Sequence, residues 1–276
     1  FSSTVRTFFR SSPILRDGPR ARTMADTNLA AIRELLLLCT PVEQETLFKE
    51  LRKTHLIHEF ERVIGAPAEM ILEAVHRAPE LTRRMLRGVI ADAAFRTFIV
   101  PSVATCGWRD VTPEGNFAYD YKMDDGQGPI TVQVKLQRSE RGAPVVKAGQ
   151  RYSFDGEVFM TETQKTRTGS DGDEKTRPYR YGEFDVLAVS MQPSTSKWDR
   201  YMYTLGRWLL PGKKAGEMAT MQPVAKTSNE FWTDDFATAA AWFRADDGGK
   251  RMTIAARVKA ARAPRKKRDK GTAKLL

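Results

Sequence analysis

The sequence predicts an α/β (α+β) fold in which a helical N-terminal section precedes a β-sheet core flanked by helices. Two changes of pattern support this prediction. From Asn28 to about Val100 apolar residues recur at helical spacing, whereas after Pro101 they alternate with polar ones along the chain. The segment GEFDVLAVSM (182–191) then carries an unbroken apolar run, which is typical of a strand inside a sheet. With 276 residues, 41% of them hydrophobic, the chain can build such a core.

About five helices are expected in the N-terminal section, by the spacing of its apolar residues. CTPVEQETLFKEL places Thr40 at the N-cap, Pro41 at the first helical position and Glu43 at the position of a capping box. HLIHEFERVIG ends at Gly65, where a helix C-cap is expected. The last helical segment, ELTRRMLRGVIADAAFRTFI, begins after Pro79.

A β-hairpin is predicted directly after the helices. FAYDYKM (117–123) and ITVQVKLQ (130–137) alternate apolar and polar residues and flank the turn-rich segment DDGQGP. Two further strands are expected, and two later segments are expected to be helical. The strands are GEVFMTET (156–163) and GEFDVLAVSM (182–191), and the helices are WDRYMYTLGRWLLP (198–211) and DDFATAAAWFRAD (234–246).

The basic character of the chain, which has a net charge of +11, lies in its two ends. Residues 1–23 carry five Arg and one Asp, a net charge of +4, and residues 250–276 carry eleven Lys or Arg and one Asp, a net charge of +10. The residues between them therefore have a net charge of −3. The basic C-terminal segment suits attraction to a polyanion such as nucleic acid. A solvated, solubilising tail explains the same composition equally well.

Four sections follow from these patterns. Residues 1–23 precede Met24 and have a Ser/Arg-rich, transit-peptide-like composition, so we interpret them as a disordered or upstream extension. The others are a helical section (24–79), an α/β core (80–249) and a basic tail (250–276). Apolar runs stay well below the roughly 18 residues that span a bilayer. We therefore expect no membrane partner and a cytoplasmic location.

Polar side chains converge on one face of the predicted hairpin. A register that pairs Met123 with Ile130 places Asp120 opposite Gln133, with Lys135 two residues farther along the same face. A carboxylate and an amide oxygen are ligands that suit Mg²⁺, and a lysine beside the ion can orient or deprotonate an attacking water. The pattern predicts a magnesium site for phosphoryl chemistry. An ordinary cross-strand ion pair between Asp120 and Lys135 is the alternative.

The order of these residues resembles that of the PD-(D/E)XK nuclease superfamily, which includes many type II restriction endonucleases. YDYKMDDGQGPITVQVKLQR and GEFDVLAV are similar in layout to the core hairpin and the next central strand of such enzymes, within about residues 80–191. The resemblance implies a restriction-endonuclease-like mixed sheet. It also implies Asp120 as the main metal ligand, Gln133 at the middle ligand position and Lys135 as the catalytic lysine. The helix acid of that family, a further metal ligand, falls on Asp92.

Two of the carboxylates have alternative interpretations. Asp92 stands four residues before Arg96, so the two can form a helix ion pair instead of a ligand position. Asp185, within EFDVLAV, is a less favoured candidate for the same polar edge, because an Asp in a central strand often bonds nearby backbone.

The polar segment between the last two predicted strands (161–184) is interpreted as a basic loop beside the sheet. Phosphates or base edges are its expected contacts, although its acidic residues also suit a plain solvated loop. The candidate DNA-binding residues are Gln164, Lys165, Arg167, Arg177 and Arg180.

Together these features predict a Mg²⁺-dependent endonuclease that hydrolyses double-stranded DNA, most like a type II restriction enzyme. Such an enzyme implies a homodimer that matches a palindromic site and a companion DNA methyltransferase. Two alternatives stay open: a DNA-binding protein whose nuclease site has decayed, and a nuclease that acts on junctions or transposon ends. Motifs for nucleotide-driven motors and serine hydrolases, GxxxxGK[ST] and GxSxG, do not occur.

Overall fold

The computed structural model describes residues 24–55, 58–152, 154–171, 174–245 and 248–255. Within this part of the chain, the side chains of residues 24–26 and 166–177 are not described. The chain divides into two compact units, and the boundary between them falls between Ala78 and Pro79. No helix of the described ranges has the length and apolar character that crossing a membrane requires.

The first unit is helical, as predicted. Thr40 caps the second helix, where its amide donates to Glu43 Oε2 at 2.8 Å and its hydroxyl accepts from the Glu43 amide at 3.4 Å. This is the predicted capping box. Gly65 ends the third helix in the left-handed conformation, with φ of 70°. The helices are α1 (Met24–Leu38), α2 (Pro41–Thr54), α3 (Phe60–Ile64) and α4 (Ala68–Arg77).

The second unit mixes helices and strands. Its helices are α5 (Glu80–Ala94), which continues through a π-helical turn (Phe95–Ile99) into α6 (Val100–Ala104), then α7 (Gln192–Thr195) and α8 (Phe236–Ala245). Its strands are β1 (Arg109–Asp110), β2 (Tyr121–Asp124), β3 (Ile130–Leu136), β4 (Ser139–Glu140), β5 (Ala143–Pro144), β6 (Val146–Ala148), β7 (Glu157–Glu162), β8 (Gln164–Asp171), β9 (Glu174–Pro178), β10 (Val186–Ser190), β11 (Tyr201–Leu205) and β12 (Met221–Val224).

A five-stranded mixed sheet forms the centre of the second unit. Its strand order is β1-β2-β3-β10-β11, with β3 and β10 parallel and the other neighbours antiparallel. All five residues of β10 are buried, as its unbroken apolar run predicted. Helix α5 packs against β3 and α8 against β11. The predicted fold class, a mixed sheet flanked by helices, is confirmed.

The hairpin has the predicted register. Met123 pairs with Ile130 and Tyr121 with Val132, and the Asp120 amide continues the pairing by donating to the Val132 carbonyl at 2.9 Å. The pleat therefore buries the even-numbered residues from Ile130 to Val134, since one face of the strand must meet the core.

The first hairpin strand is shorter than predicted, because it begins at Tyr121 and not at residue 117. In the described structure, residues 111–120 belong to no strand. The ring of Phe117, predicted to face the core, is 44% exposed and stacks on Tyr119 with 5.2 Å between the ring centroids.

Two further sequence predictions are wrong. The segment 198–211 was expected to be helical, yet it forms strand β11 and a single 3₁₀ turn (Gly206–Trp208). Strand β11 pairs with β10 along its whole length and buries all five residues, so its alternating aromatic side chains satisfy a strand better than a helix. The segment 161–184, interpreted as a loop, contains the antiparallel strands β8 and β9.

Candidate active site

Helix α5 is held against the sheet at the point where it widens into the π-helical turn. The Tyr121 hydroxyl donates to the Asp92 carbonyl at 3.0 Å, and the Tyr201 hydroxyl donates to the Ala91 carbonyl at 2.7 Å. The Phe95 ring packs on both tyrosines, with centroids 4.9 and 5.4 Å away. A π turn alters which helix carbonyls are bonded within the helix, and such turns are frequent at functional sites. These contacts position Asp92 relative to strands β2 and β11.

Asp120 is oriented by strand β3. Its Oδ2 accepts a hydrogen bond from the Val134 backbone amide at 2.7 Å and another from the Gln133 side-chain amide. Burial raises the pKa of Asp120 to about 6, although attraction to Lys135 and these hydrogen bonds act in the opposite direction. Asp120 is therefore a carboxylate that loses its proton close to neutral pH.

Lys135 projects from the same face of β3 and contacts Tyr179. Its Nζ lies 3.2 Å from the Tyr179 hydroxyl oxygen and 5.2 Å from the centroid of that ring. Burial lowers the pKa of Lys135, and the negative charges of Asp120 and Asp92 partly offset that shift. Lys135 therefore loses its proton more readily than an exposed lysine does.

The four residues that the sequence singled out around the metal line one cleft. Asp92 comes from α5, which forms one wall, and Asp120, Gln133 and Lys135 come from the hairpin, which forms the other. The cleft has a volume of about 470 Å³, which lies within the range of about 300–1,000 Å³ typical of ligand sites. Residues 120, 133 and 135 thus meet at one surface that a substrate can reach.

Asp92 and Asp120 are the two residues here that could hold a divalent cation. Among the described residues Asp92 Oδ1 is buried without a hydrogen-bond partner, and burial raises the pKa of this carboxyl group. Within the described ranges, no three His, Cys, Asp or Glu side chains are grouped to hold an ion. Mg²⁺ commonly takes only one or two carboxylates and completes its shell with water and substrate phosphate. Gln133 directs its amide nitrogen at Asp120, so in this orientation it holds that carboxylate in place.

Three residues of the cleft region were missed at the sequence level. Gln137 continues the odd-numbered face of β3 that carries Lys135, so extending the alternation by two residues would have found it. Glu162, at the end of β7, lines the cleft and accepts from Arg138 Nη1 at 3.1 Å. Tyr179 gave no signal, because its contact with Lys135 joins residues 44 positions apart.

The candidate DNA-binding residues fall in different places. Gln164 and Lys165 line the cleft, where Gln164 donates to Glu162 and Lys165 pairs with Glu183. Arg180 is exposed and forms an isolated backbone bridge with Glu217. The other two, in strands β8 and β9, have side chains outside the described part of the chain: Arg167 and Arg177.

Asp185 has a structural role at the far end of β3. Its Oδ2 accepts from the Thr131 amide at 2.8 Å and from the Thr131 hydroxyl at 2.7 Å. The Asp185 amide donates back to the Thr131 carbonyl at 3.0 Å. The carboxylate therefore joins β3 to the start of β10, as the alternative interpretation of this residue anticipated.

Comparisons with known proteins give little similarity. No protein-family model and no curated protein matches the chain. Among solved structures, the bacterial homing endonuclease I-Ssp6803I is similar at a TM-score of 0.32 and 19% sequence identity, over 53% of this chain and 80% of that one. Similarity this low carries no argument about function, which has to rest on the site itself.

Proposed function

We propose that this protein is a Mg²⁺-dependent endonuclease that hydrolyses phosphodiester bonds of double-stranded DNA. One observation carries the proposal: Asp92, Asp120 and Lys135 line a single open cleft, and within the described part of the chain the buried Asp92 Oδ1 has no hydrogen-bond partner. Two carboxylates that can hold a divalent cation, beside a lysine with a lowered pKa, form a donor set suited to phosphoryl chemistry. The same residues carry the resemblance to the PD-(D/E)XK nucleases.

The chain's own residues divide the work of hydrolysis. Asp92 and Asp120 would hold the cation, and the amides of Val134 and Gln133 keep Asp120 in its orientation. When bound, Mg²⁺ supplies electrostatic stabilisation of the phosphoryl oxygens and lowers the pKa of water. Lys135 accepts a proton at Nζ from the attacking water, as its lowered pKa favours. The water oxygen bonds to phosphorus as one P–O ester bond breaks, and the leaving alkoxide takes a proton from solvent, so that an alcohol and a phosphate monoester are formed.

A type II restriction enzyme is the form of this activity that we favour, because the hairpin layout is similar to that of such enzymes. In this form two copies of the chain act on a palindromic site, since two-fold symmetry of the protein then matches that of the DNA. A companion DNA methyltransferase protects the host's own sites. The proposed DNA contacts of the nuclease itself are Gln164, Lys165, Arg167, Arg177 and Arg180.

Cleavage of phage or plasmid DNA by the full chain tests the proposal. We expect discrete fragments with Mg²⁺, none with EDTA, and a rate at least about 100-fold lower for Lys135→Ala, which removes the proposed proton acceptor. Lys147→Ala is the matched control, because Lys147 is exposed on β6. Intact DNA across a range of Mg²⁺ and Mn²⁺ concentrations, or full activity of the Lys135 variant, would refute the proposal.

A DNA-binding protein without catalysis is the second candidate. It is favoured by Gln133, which brings an uncharged amide to the middle ligand position and donates to Asp120. This alternative predicts salt-sensitive gel shifts that need no metal and that disappear when residues 257–276 are removed. Comparing linear duplex with branched DNA in the cleavage assay separates the restriction enzyme from a junction or transposon-end nuclease.

A further inference from the structure

The wall of the cleft formed by α5 has an opening at Gly88. Gly88 lies inside a 15-residue helix, where glycine is less stable than alanine. A Cβ atom placed on Gly88 would meet no atom within 4 Å, so packing against the described residues does not require glycine there. The absence of a side chain leaves open space over the helix backbone, in the cleft that Asp120 and Lys135 also line.

Aliphatic side chains surround this opening. Leu81, Met85 and Val89 recur every four residues on α5, line the cleft with Gly88, and are 60%, 52% and 63% exposed. A phosphodiester backbone is charged and gains little from contact with aliphatic carbon. The face of a nucleobase, in contrast, is flat and weakly hydrated, and it binds readily to apolar side chains. Arg84 and Arg87 line the same wall, so it offers apolar surface for a base and cationic groups for the phosphates beside that base.

The opposite wall offers unsatisfied hydrogen-bonding groups. Gln137 is 1% exposed and lines the cleft from β3, and its buried Nε2 and Oε1 have no hydrogen-bond partner among the described residues. A glutamine amide supplies one donor direction and one acceptor direction side by side, which is the pattern that a base edge presents. The cleft volume of about 470 Å³ is sufficient for one nucleotide.

On the basis of the nuclease function proposed above, we propose that the cleft between α5 and β3 holds one nucleobase unstacked from the DNA, beside the phosphate that is cleaved. Gly88 provides the room, the aliphatic residues of α5 cover one face of the base, and Gln137 lies at its edge. The substrate class is DNA in which the nucleotide at the cleaved bond leaves the helical stack. Within a double-stranded site, a mismatch at that nucleotide should speed cleavage, because a mismatched base unstacks at lower cost than a paired one.

Fluorescence of 2-aminopurine tests this proposal, since the emission of this adenine analogue rises when it leaves the stack. The analogue is placed in turn at each position flanking the cleaved bond, and the full chain is bound in Ca²⁺ in place of Mg²⁺ to prevent turnover. We expect a several-fold rise at one position. We also expect a mismatch at that position to raise the cleavage rate several-fold.

Filling the opening supplies the matched variants. Gly88→Leu places a good helix former in the open space, so we expect an unchanged or higher Tm, loss of the fluorescence rise and at least tenfold slower cleavage. Ala93→Leu is the control, because Ala93 is exposed on the same helix outside the cleft. Its fluorescence and rate should equal those of the unmodified chain.

The outcomes that overturn the two proposals are distinct. If the unmodified chain cleaves DNA, yet fluorescence is flat at every position and Gly88→Leu cleaves normally, the base site is wrong and the nuclease function stands. If Gly88→Leu changes the oligomeric state in solution but neither the fluorescence nor the cleavage rate, the aliphatic wall binds a second copy of the chain. The base site is then again wrong. If the chain does not cleave DNA at all, both proposals fail.

Discussion

The hydroxyl oxygen of Tyr179 lies 3.2 Å from Nζ of Lys135, and the centroid of the Tyr179 ring lies 5.2 Å from this Nζ and 5.6 Å from Nζ of Lys165. Tyr179 follows β9 directly, and Lys165 lies in β8 and pairs with Glu183. The lysine proposed to accept the proton is therefore positioned by residues at the base of the β8–β9 strand pair. This relationship makes Tyr179 a positioning residue for Lys135.

Tyr179→Phe tests that role. The substitution keeps the ring and removes the hydroxyl that positions Nζ. A hydrogen bond between neutral groups is worth about 0.5–1.5 kcal/mol, so we expect kcat to fall about twofold to tenfold with little change in KM. The control is Tyr181→Phe, because the Tyr181 hydroxyl donates to the Leu209 carbonyl at 2.8 Å, away from Lys135. Equal kcat values for both variants would contradict the prediction.

The stability of the metal-free protein should depend on the ionisation of Asp120. Its pKa is about 6 in the folded chain and 3.8 without the fold, so the folded state binds the additional proton between these values. The contribution of Asp120 to the free energy of unfolding is therefore most favourable near pH 4, and it is lost as the pH rises through 6. The change amounts to about 3 kcal/mol, at about 1.4 kcal/mol for each pKa unit.

Asp120→Asn isolates this contribution, because the amide does not titrate. Urea unfolding in EDTA between pH 4 and 6.5 should show the unmodified chain losing stability relative to the variant as the pH rises. Other titrating groups cancel in the difference between the two proteins. A difference that stays constant over this range would show that Asp120 ionises with an ordinary pKa.

Asp185→Asn should destabilise the fold without affecting catalysis. The substitution weakens the hydrogen bonds from Thr131, so we expect the free energy of unfolding to fall by about 1–3 kcal/mol. Asp199→Asn, at an exposed position, should change it by less than about 0.5 kcal/mol. Cleavage per folded molecule should be unchanged in both. Loss of Mg²⁺-dependent activity in a folded Asp185 variant would instead place this carboxylate in the site.

Thr40→Ala should weaken the start of α2. Loss of the capping box costs about 1 kcal/mol, so backbone amides of the first turn should exchange with solvent about fivefold faster. Thr46→Ala is the control within the same helix, because the Thr46 hydroxyl only bonds the Val42 carbonyl at 2.9 Å. Hydrogen exchange followed at Glu43 distinguishes the two, and similar rates would show that the cap is not formed in solution.

Local patterns predicted those features that local physics controls. The capping residues Thr40 and Glu43 are three positions apart, so one helical turn brings them together whatever surrounds them. The register of the hairpin was predictable as well. One strand face must be apolar, and a shift of one residue would expose Ile130 and Val132 to solvent while burying their polar neighbours.

Sequence alone thus determined the hairpin register, and with it the placement of Asp120 opposite Gln133 and of Lys135 on the same face. Tertiary structure decided what surrounds them. Segment 201–205 is compatible with a helix or a strand, and only pairing with β10 selects the strand. The contacts of Lys135 with Tyr179, and of Tyr121 with the backbone of Asp92, join distant parts of the chain. No local periodicity encodes such contacts, because they form only when separate elements pack together.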